Sequence, residues 1–111
     1  MTTVSELALA LEATSSYLSD GDRQVISGYA GDLLSFVMSR AAKDSAWFTI
    51  MTNVNVCAVA TLTEVSVVVV CEGCKLDETM LSAAKTRGVN VICTDFDVFH
   101  AIKKVTDANL L

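Results

Sequence analysis

The chain contains no proline, one histidine and one tryptophan, and only eight lysine and arginine residues against thirteen aspartates and glutamates. Each shortage removes a class of function. The formal charge is -5, and the cations at Arg23, Arg40, Lys43, Lys75, Lys85, Arg87, Lys103 and Lys104 are scattered rather than aligned into a basic stripe. Phosphate backbones need such a stripe, so nucleic acid is excluded as the expected partner. The lone histidine, His100, has no serine or cysteine tied to it by spacing, which leaves a nucleophile–base pair without support. No apolar run approaches the ~18–20 residues of a membrane span. The longest, at 65–71, is broken by Ser66 and reads as a strand buried on both faces. The opening MTTVSEL lacks the basic and apolar regions of a secretion signal. Its four cysteines are therefore expected to be reduced thiols of a cytoplasmic protein. With no linker, repeat or low-complexity tract, the 111 residues read as one domain.

What is abundant is apolar surface. Hydrophobic residues make up 52% of the chain and the mean hydropathy is +0.49, more than a small monomer needs to fill its core. Such a surplus suggests that another chain covers part of the surface, and a homodimer is the expected assembly.

Thr3 and Glu6 form a potential capping box for a first helix at 3–11, with Val4, Leu7, Ala8 and Leu11 on one face. Residues 13–18 and 24–27 read as short strands, and Asp20-Gly21 between them is a strong turn signal, so the two strands are expected to form a hairpin. Helices follow at 32–42, 53–61, 77–87 and 96–105, separated by strands at 46–51, 65–70 and 89–93. Lys85, Arg87 and Gly88 mark the end of the third of these helices, and Thr94 or Asp95 is expected to begin the last. Strands alternating with helices across short loops imply right-handed crossovers. The fold class is α/β, a three-layer α/β/α sandwich on a largely parallel or mixed sheet of about five strands.

Ligands of open α/β sheets bind beyond the carboxyl ends of the strands. Three polar junctions fall there: Thr52-Asn53-Val54-Asn55, Cys71-Glu72-Gly73-Cys74 and Thr94-Asp95-Phe96-Asp97. Thr52, Asn53 and Asn55 stand out, because one helix cap needs one side chain and here three crowd the site. Gly28-Tyr-Ala-Gly31-Asp32 has two readings: an anion cradle of free backbone N–H groups, or a bend requiring positive φ with Asp32 capping the next helix. No Gly-Lys-Ser/Thr follows, so it is not a phosphate loop. Cys71-Glu-Gly-Cys74 is a single CxxC pair. With Cys57 and Cys93 it could supply four ligands to zinc or an iron–sulfur cluster, but the same cysteines fit core positions, and no metal is assigned. Asp95 and Asp97 read chiefly as helix caps, and Trp47 as core or interface.

The strings GYAGDLLSFVM, AWFTIMTNVNVCAVATL, VSVVVVCEG and GVNVICTDFDVFHAI, together with a Thr-x-x-Asn-x-x-Ala-x-Ala helix, carry a resemblance. The chain resembles the DRTGG-domain family in its short stand-alone form, from the first helix to about Val105. Residues 28–32 occupy the place of the name-giving Asp-Arg-Thr-Gly-Gly string, which is absent. The resemblance implies an α/β/α domain similar to the N-terminal domain of HPr kinase/phosphorylase, without kinase activity. Members of the family are regulatory modules joined to CBS domains or phosphate acetyltransferase, and small ones accompany iron-only hydrogenases. The expected function is thus a non-catalytic, dimeric regulatory domain sensing a small anionic ligand such as a nucleotide, with no resident cofactor. Its expected site comprises Gly28, Gly31, Asp32, Thr52, Asn53, Asn55 and Asp95. The alternatives are a structural docking partner of a redox, hydrogenase-type complex, and a metal protein using Cys57, Cys71, Cys74 and Cys93.

Overall fold

The computed structural model describes residues 1–111 as an α/β/α sandwich. Its elements are α1 (Val4–Ala10), β1 (Ser15–Tyr17), β2 (Ser27–Ala30), α2 (Leu34–Arg40), β3 (Ser45–Thr49), α3 (Asn55–Thr63), β4 (Val67–Val70), α4 (Glu78–Arg87), β5 (Val91–Cys93) and α5 (Val98–Asp107). The five strands stand in the order β1-β5-β4-β3-β2. Four are parallel, and β1 runs antiparallel along β5.

Strand alternation divides the core in two, because successive side chains of a strand point to opposite faces. Trp47, Val68, Val70, Val91 and Cys93 pack against α2, α3 and α4 through Val37, Val56, Cys57, Val59, Ala60, Met80 and Ala84. Ala46, Phe48, Val67, Val69 and Ile92 face the other way, onto Val4 and Leu7 of α1, Leu11, and Ala101 and Val105 of α5. β4 consists of four valines, all buried, as a central strand covered on both sides should be. From β2 to β5 the order advances in one direction, so right-handed crossovers place α2, α3 and α4 on a single face. No helix is long and apolar enough to cross a membrane.

Local signals hold where the chemistry is local. The Thr3–Glu6 capping box forms in full. The Asp77 side chain accepts from the Met80 N–H at 2.8 Å, and Gly88 closes α4 at φ +67. The last helix begins later than expected: Asp97, not Thr94 or Asp95, caps α5.

The expected hairpin does not form. β1 and β2 occupy opposite edges of the sheet, and the chain between them passes beneath the amino ends of β5, β4 and β3. Side chains at those strand ends fasten this crossing segment. Asn90, nearly fully buried, accepts from the Asp20 N–H and donates Nδ2–H to the carbonyls of Asp20 and Ser66, each at 2.9 Å. The Ser66 hydroxyl donates to the Gln24 carbonyl. Arg23 pairs with Asp44 at 3.1 Å and donates to the Glu64 carbonyl at 2.6 Å. From above, the Val4 N–H donates to Arg23 O and the Val25 N–H to Thr2 O. The turn at Asp20-Gly21 is therefore real, but it feeds a strap under the sheet rather than a return strand.

Candidate functional site

The glycine stretch is neither of the things its composition suggested. Gly28 lies inside β2, opposite Ala46, and the chain's positive-φ glycines are Gly73 and Gly88. Gly31 donates its N–H to Phe48 O and accepts from Trp47 Nε1 at 2.9 Å, so its amide is not free to cradle an anion. Its small size serves packing: a Cβ there would sit 3.1 Å from the Tyr29 ring. The positive-φ reading is thus corrected at both glycines, and the anion-cradle reading at Gly31. The ladder to β3 holds the segment extended, and backbone groups that make ladder bonds cannot also bind phosphate.

Asp32 does not cap α2 either. That helix starts from Leu33 without a side-chain cap. Instead Asp32 Oδ1 reaches across the carboxyl end of β3, accepting from the Thr49 hydroxyl at 2.6 Å and from the Ile50 N–H at 3.1 Å. Thr49 Oγ1, fully buried, accepts in turn from the Met51 N–H at 3.2 Å. This chain of bonds fixes the start of the β3–α3 loop.

Thr52, Asn53 and Asn55 follow on that loop. Asn53 Oδ1 accepts from the Asn55 N–H at 3.0 Å, an Asx turn that bends the loop into α3. The helix itself starts from Val54, which offers no side-chain cap. Asn53 and Asn55 are exposed. One polar side chain shapes the loop; the Thr52 hydroxyl and the Asn55 amide have no partner within the chain.

Asp95 lies on a different loop, between β5 and α5. A crevice in an open sheet forms where neighbouring loops leave toward opposite faces. Here that point lies between β4, which leads to α4, and β5, which leads to α5 on the other face. The chain closes it. Glu72 (φ +67) and Gly73 (φ +70) turn through the left-handed region, and their N–H groups donate to Phe96 O at 2.8 Å and Thr94 O at 3.0 Å. A Cβ on Gly73 would lie 3.3 Å from Asp95 Oδ1. Thr94 is spent on structure as well, donating its hydroxyl to Leu11 O at 2.7 Å. Of the seven expected site residues, Asp32 therefore braces the start of the loop that carries Thr52, Asn53 and Asn55, Gly28 and Gly31 belong to β2 and its end, and Asp95 lies on the β5–α5 loop.

The carboxyl edge is electronegative. Burial pushes the Cys71 thiol up to about 12, and the carboxylates of Glu72, Asp97 and Asp32 add to the shift. Asp97 is held below the usual carboxylate range, chiefly by the His100 backbone N–H and then by the His100 ring, whose Nδ1 lies 2.7 Å from Asp97 Oδ2. His100 is thereby an exposed partner of the α5 cap.

The cysteines do not converge. Cys57 and Cys93 are buried on the α2–α4 side of the sheet and Cys71 on the α1–α5 side. No group of three or more His, Cys, Asp or Glu side chains is placed to hold a metal ion. The four-cysteine metal reading is corrected by this division: the sheet itself stands between the thiols. Burial also raises the pKa of Cys57, with Arg87 opposing.

Two clefts exist, and sequence reasoning found neither. A mainly apolar cleft of about 250 Å³ lies between β2 and α5, lined by Gly28, Ala30, Phe48, Ile102, Val105 and Leu111 among others. It opens because α1 and α5 cover the sheet only as far as β3, leaving this face of β2 without a helix. A more polar cleft of about 160 Å³ lies at the amino edge between Arg23, Thr61, Glu64 and Arg87.

No family model and no curated protein matches the chain. Among solved structures it is similar to the CBS and DRTGG domains of the regulatory region of Clostridium perfringens pyrophosphatase, complexed with the activator diadenosine tetraphosphate. The identity is 15% and the TM-score 0.74, over 94% of this chain and 46% of that one. The chain thus spans less than half of its neighbour's length, and what the two share is the fold.

Proposed function

We propose that this chain is a non-catalytic regulatory domain of the DRTGG type, acting as a homodimer, that senses a nucleoside or nucleotide at the carboxyl end of β3. The observation that carries this reading is the set of polar side chains there without partners inside the chain: Thr52 and Asn55, on the same loop as Asn53, and the second carboxylate oxygen of Asp32, which braces the start of that loop. Carboxamides match the mixed donors and acceptors of a base edge, and a carboxylate accepts from ribose hydroxyls. The N–H groups of Asn55, Val56 and Cys57 are already bonded, so the phosphates of such a ligand point to solvent, away from the carboxylates of Glu72, Asp95 and Asp97. The sequence motifs and the fold shared with a regulatory region that binds a dinucleotide activator support the same reading.

Thermal unfolding against adenosine, AMP, ATP and diadenosine tetraphosphate, with and without magnesium, tests it. Ligand at ~100 times Kd stabilises the native state by about 2.7 kcal/mol. In a chain of this size that raises Tm by roughly 10 °C. The shift is expected to vanish in Asn53→Ala and Asn55→Ala. A flat response to millimolar ligand overturns the reading.

A further inference from the structure

Of the ten large hydrophobic side chains that stand exposed, four flank or belong to β2 and α2, namely Ile26, Leu33, Phe36 and Met38, and two more, Ile50 and Val54, fall on the loop after the neighbouring β3; each is between 44% and 67% accessible. Within residues 24–42 only Asp32 and Arg40 are charged. Aromatic and methionine side chains with few charges are the composition of an interface centre.

The strand at the middle of this patch is an edge without protection. β2, Ser-Gly-Tyr-Ala, has no lysine, proline or charge to discourage pairing, and Ser27, Gly28 and Ala30 are exposed. Because the Gly31 N–H faces Phe48 O, two-residue alternation turns the N–H and C=O of Gly28 and Ala30 away from β3, outward. The strand therefore presents a ready ladder to a neighbour.

The two charges identify the neighbour. α2 runs back along β2, so Arg40 at its end lies near the amino end of the strand while Asp32 lies at the carboxyl end. Within one chain these groups stay at opposite ends of α2. Asp32 uses Oδ1 for Thr49 and Ile50, and Arg40 has only the Phe36 ring, 4.1 Å away, as a neighbour of note. An antiparallel pairing of two β2 strands about a two-fold axis sets the carboxyl end of each against the amino end of the other. Asp32 of each copy then meets Arg40 of the second copy, twice, as a closed symmetric interface requires.

We infer that the chain dimerises through β2 and α2, joining five strands from each copy into one continuous sheet, with reciprocal Asp32–Arg40 pairs at the rim. This deepens the homodimer reading above by naming its interface, and it holds whether or not a nucleotide binds. It also places Asp32, a member of the candidate site, at the edge of the dimer contact.

Sedimentation equilibrium without ligand, combined with amide hydrogen exchange, tests it. The wild-type protein is expected to be a dimer at micromolar concentration, with the Gly28 and Ala30 amides protected although nothing inside the chain bonds them. Phe36→Glu and Met38→Glu are expected to give folded monomers by circular dichroism, whereas Leu62→Glu and Phe99→Glu, at exposed apolar sites elsewhere, remain dimeric. Arg40→Glu should raise the dimer Kd about tenfold, as for two weak rim pairs lost together. The exchange Asp32→Lys with Arg40→Glu should recover part of that loss, which only pairing between copies can do. A wild-type monomer at 100-fold higher concentration (~100 μM), fast exchange at Gly28 and Ala30 in a dimer, or dissociation by Leu62→Glu or Phe99→Glu instead of Phe36→Glu would each overturn the inference. The ligand panel run on the Phe36→Glu monomer separates a failure of this interface from a failure of the sensing site.

Discussion

Asn90→Ala is expected to be among the most damaging single polar substitutions in this chain. The side chain is 3% exposed and makes three hydrogen bonds, to the N–H and carbonyl of Asp20 and to the carbonyl of Ser66. A neutral hydrogen bond contributes about 1 kcal/mol net, whereas a buried group stripped of its partner costs about 1–3 kcal/mol instead. The two Asp20 groups lie near solvent and regain water, so their loss stays close to the net value. The Ser66 carbonyl is covered and does not. The total is about 3–5 kcal/mol, a large part of the ~5–15 kcal/mol that holds a small domain together. For a chain of this length that lowers Tm by roughly 12–20 °C. Asp20→Ala supplies the contrast. Asn90 bonds to the Asp20 backbone, so this variant loses only an exposed bond from the Asp22 N–H to Asp20 Oδ1 and should shift Tm by roughly 2 °C or less. Differential scanning calorimetry of the pair decides the matter. Asn90→Ala within about 3 °C of wild type, or an Asp20→Ala effect of equal size, would refute the assignment of the strap to the Asn90 side chain.

Thiol counting with a chromogenic disulfide should find one fast group in the native protein, removed by Cys74→Ser, and four after denaturation, because Cys57, Cys71 and Cys93 are buried. The Cys71 thiol also fixes a sign. Its folded pKa of about 12 lies above the ordinary 9.0, so the unfolded chain releases that proton first and stability must fall as pH rises from 9.0 toward 12. Urea titrations at pH values across that window should show a slope that Cys71→Ala flattens. Thr49→Val removes the hydroxyl that donates to Asp32 while keeping the buried volume. It should cost about 1–2 kcal/mol in urea unfolding, since the carboxylate end of the bond is solvated, and should weaken any ligand held by Asp32. Gly88→Ala forces a side chain to φ +67 with its Cβ 3.4 Å from Ser19 Oγ. The expected loss is about 1–2 kcal/mol, read as a lower urea midpoint at unchanged slope.

The residues that declared themselves in the sequence did so through neighbours a few positions away. Thr3 and Glu6, Asp77 and Met80, and Arg87 with Gly88 are helix signals whose partners lie within one turn, and each forms as read. The valines of β4 needed only their own composition to mark a central strand. The β2 strand was misplaced for the opposite reason. Val25 and Ile26 have the higher strand propensity, yet Val25 is spent in the strap, its N–H on Thr2 O, while Ser27–Ala30 form the strand because β3 lies beside them.

The sequence by itself determined the alternation of helices and strands, the caps, the α/β/α class and the polar character of the β3–α3 loop, because periodicity and capping act over a few residues. Tertiary structure alone decided the rest. It sent β1 and β2 to opposite edges, bound Asn90 to Asp20 across 70 positions, turned Asp32 from a helix cap into a brace for Thr49, and divided the cysteines between two faces of the sheet. None of these pairings has a local signature, since which side chains meet is fixed by strand order and crossover direction, and both are properties of the whole sheet.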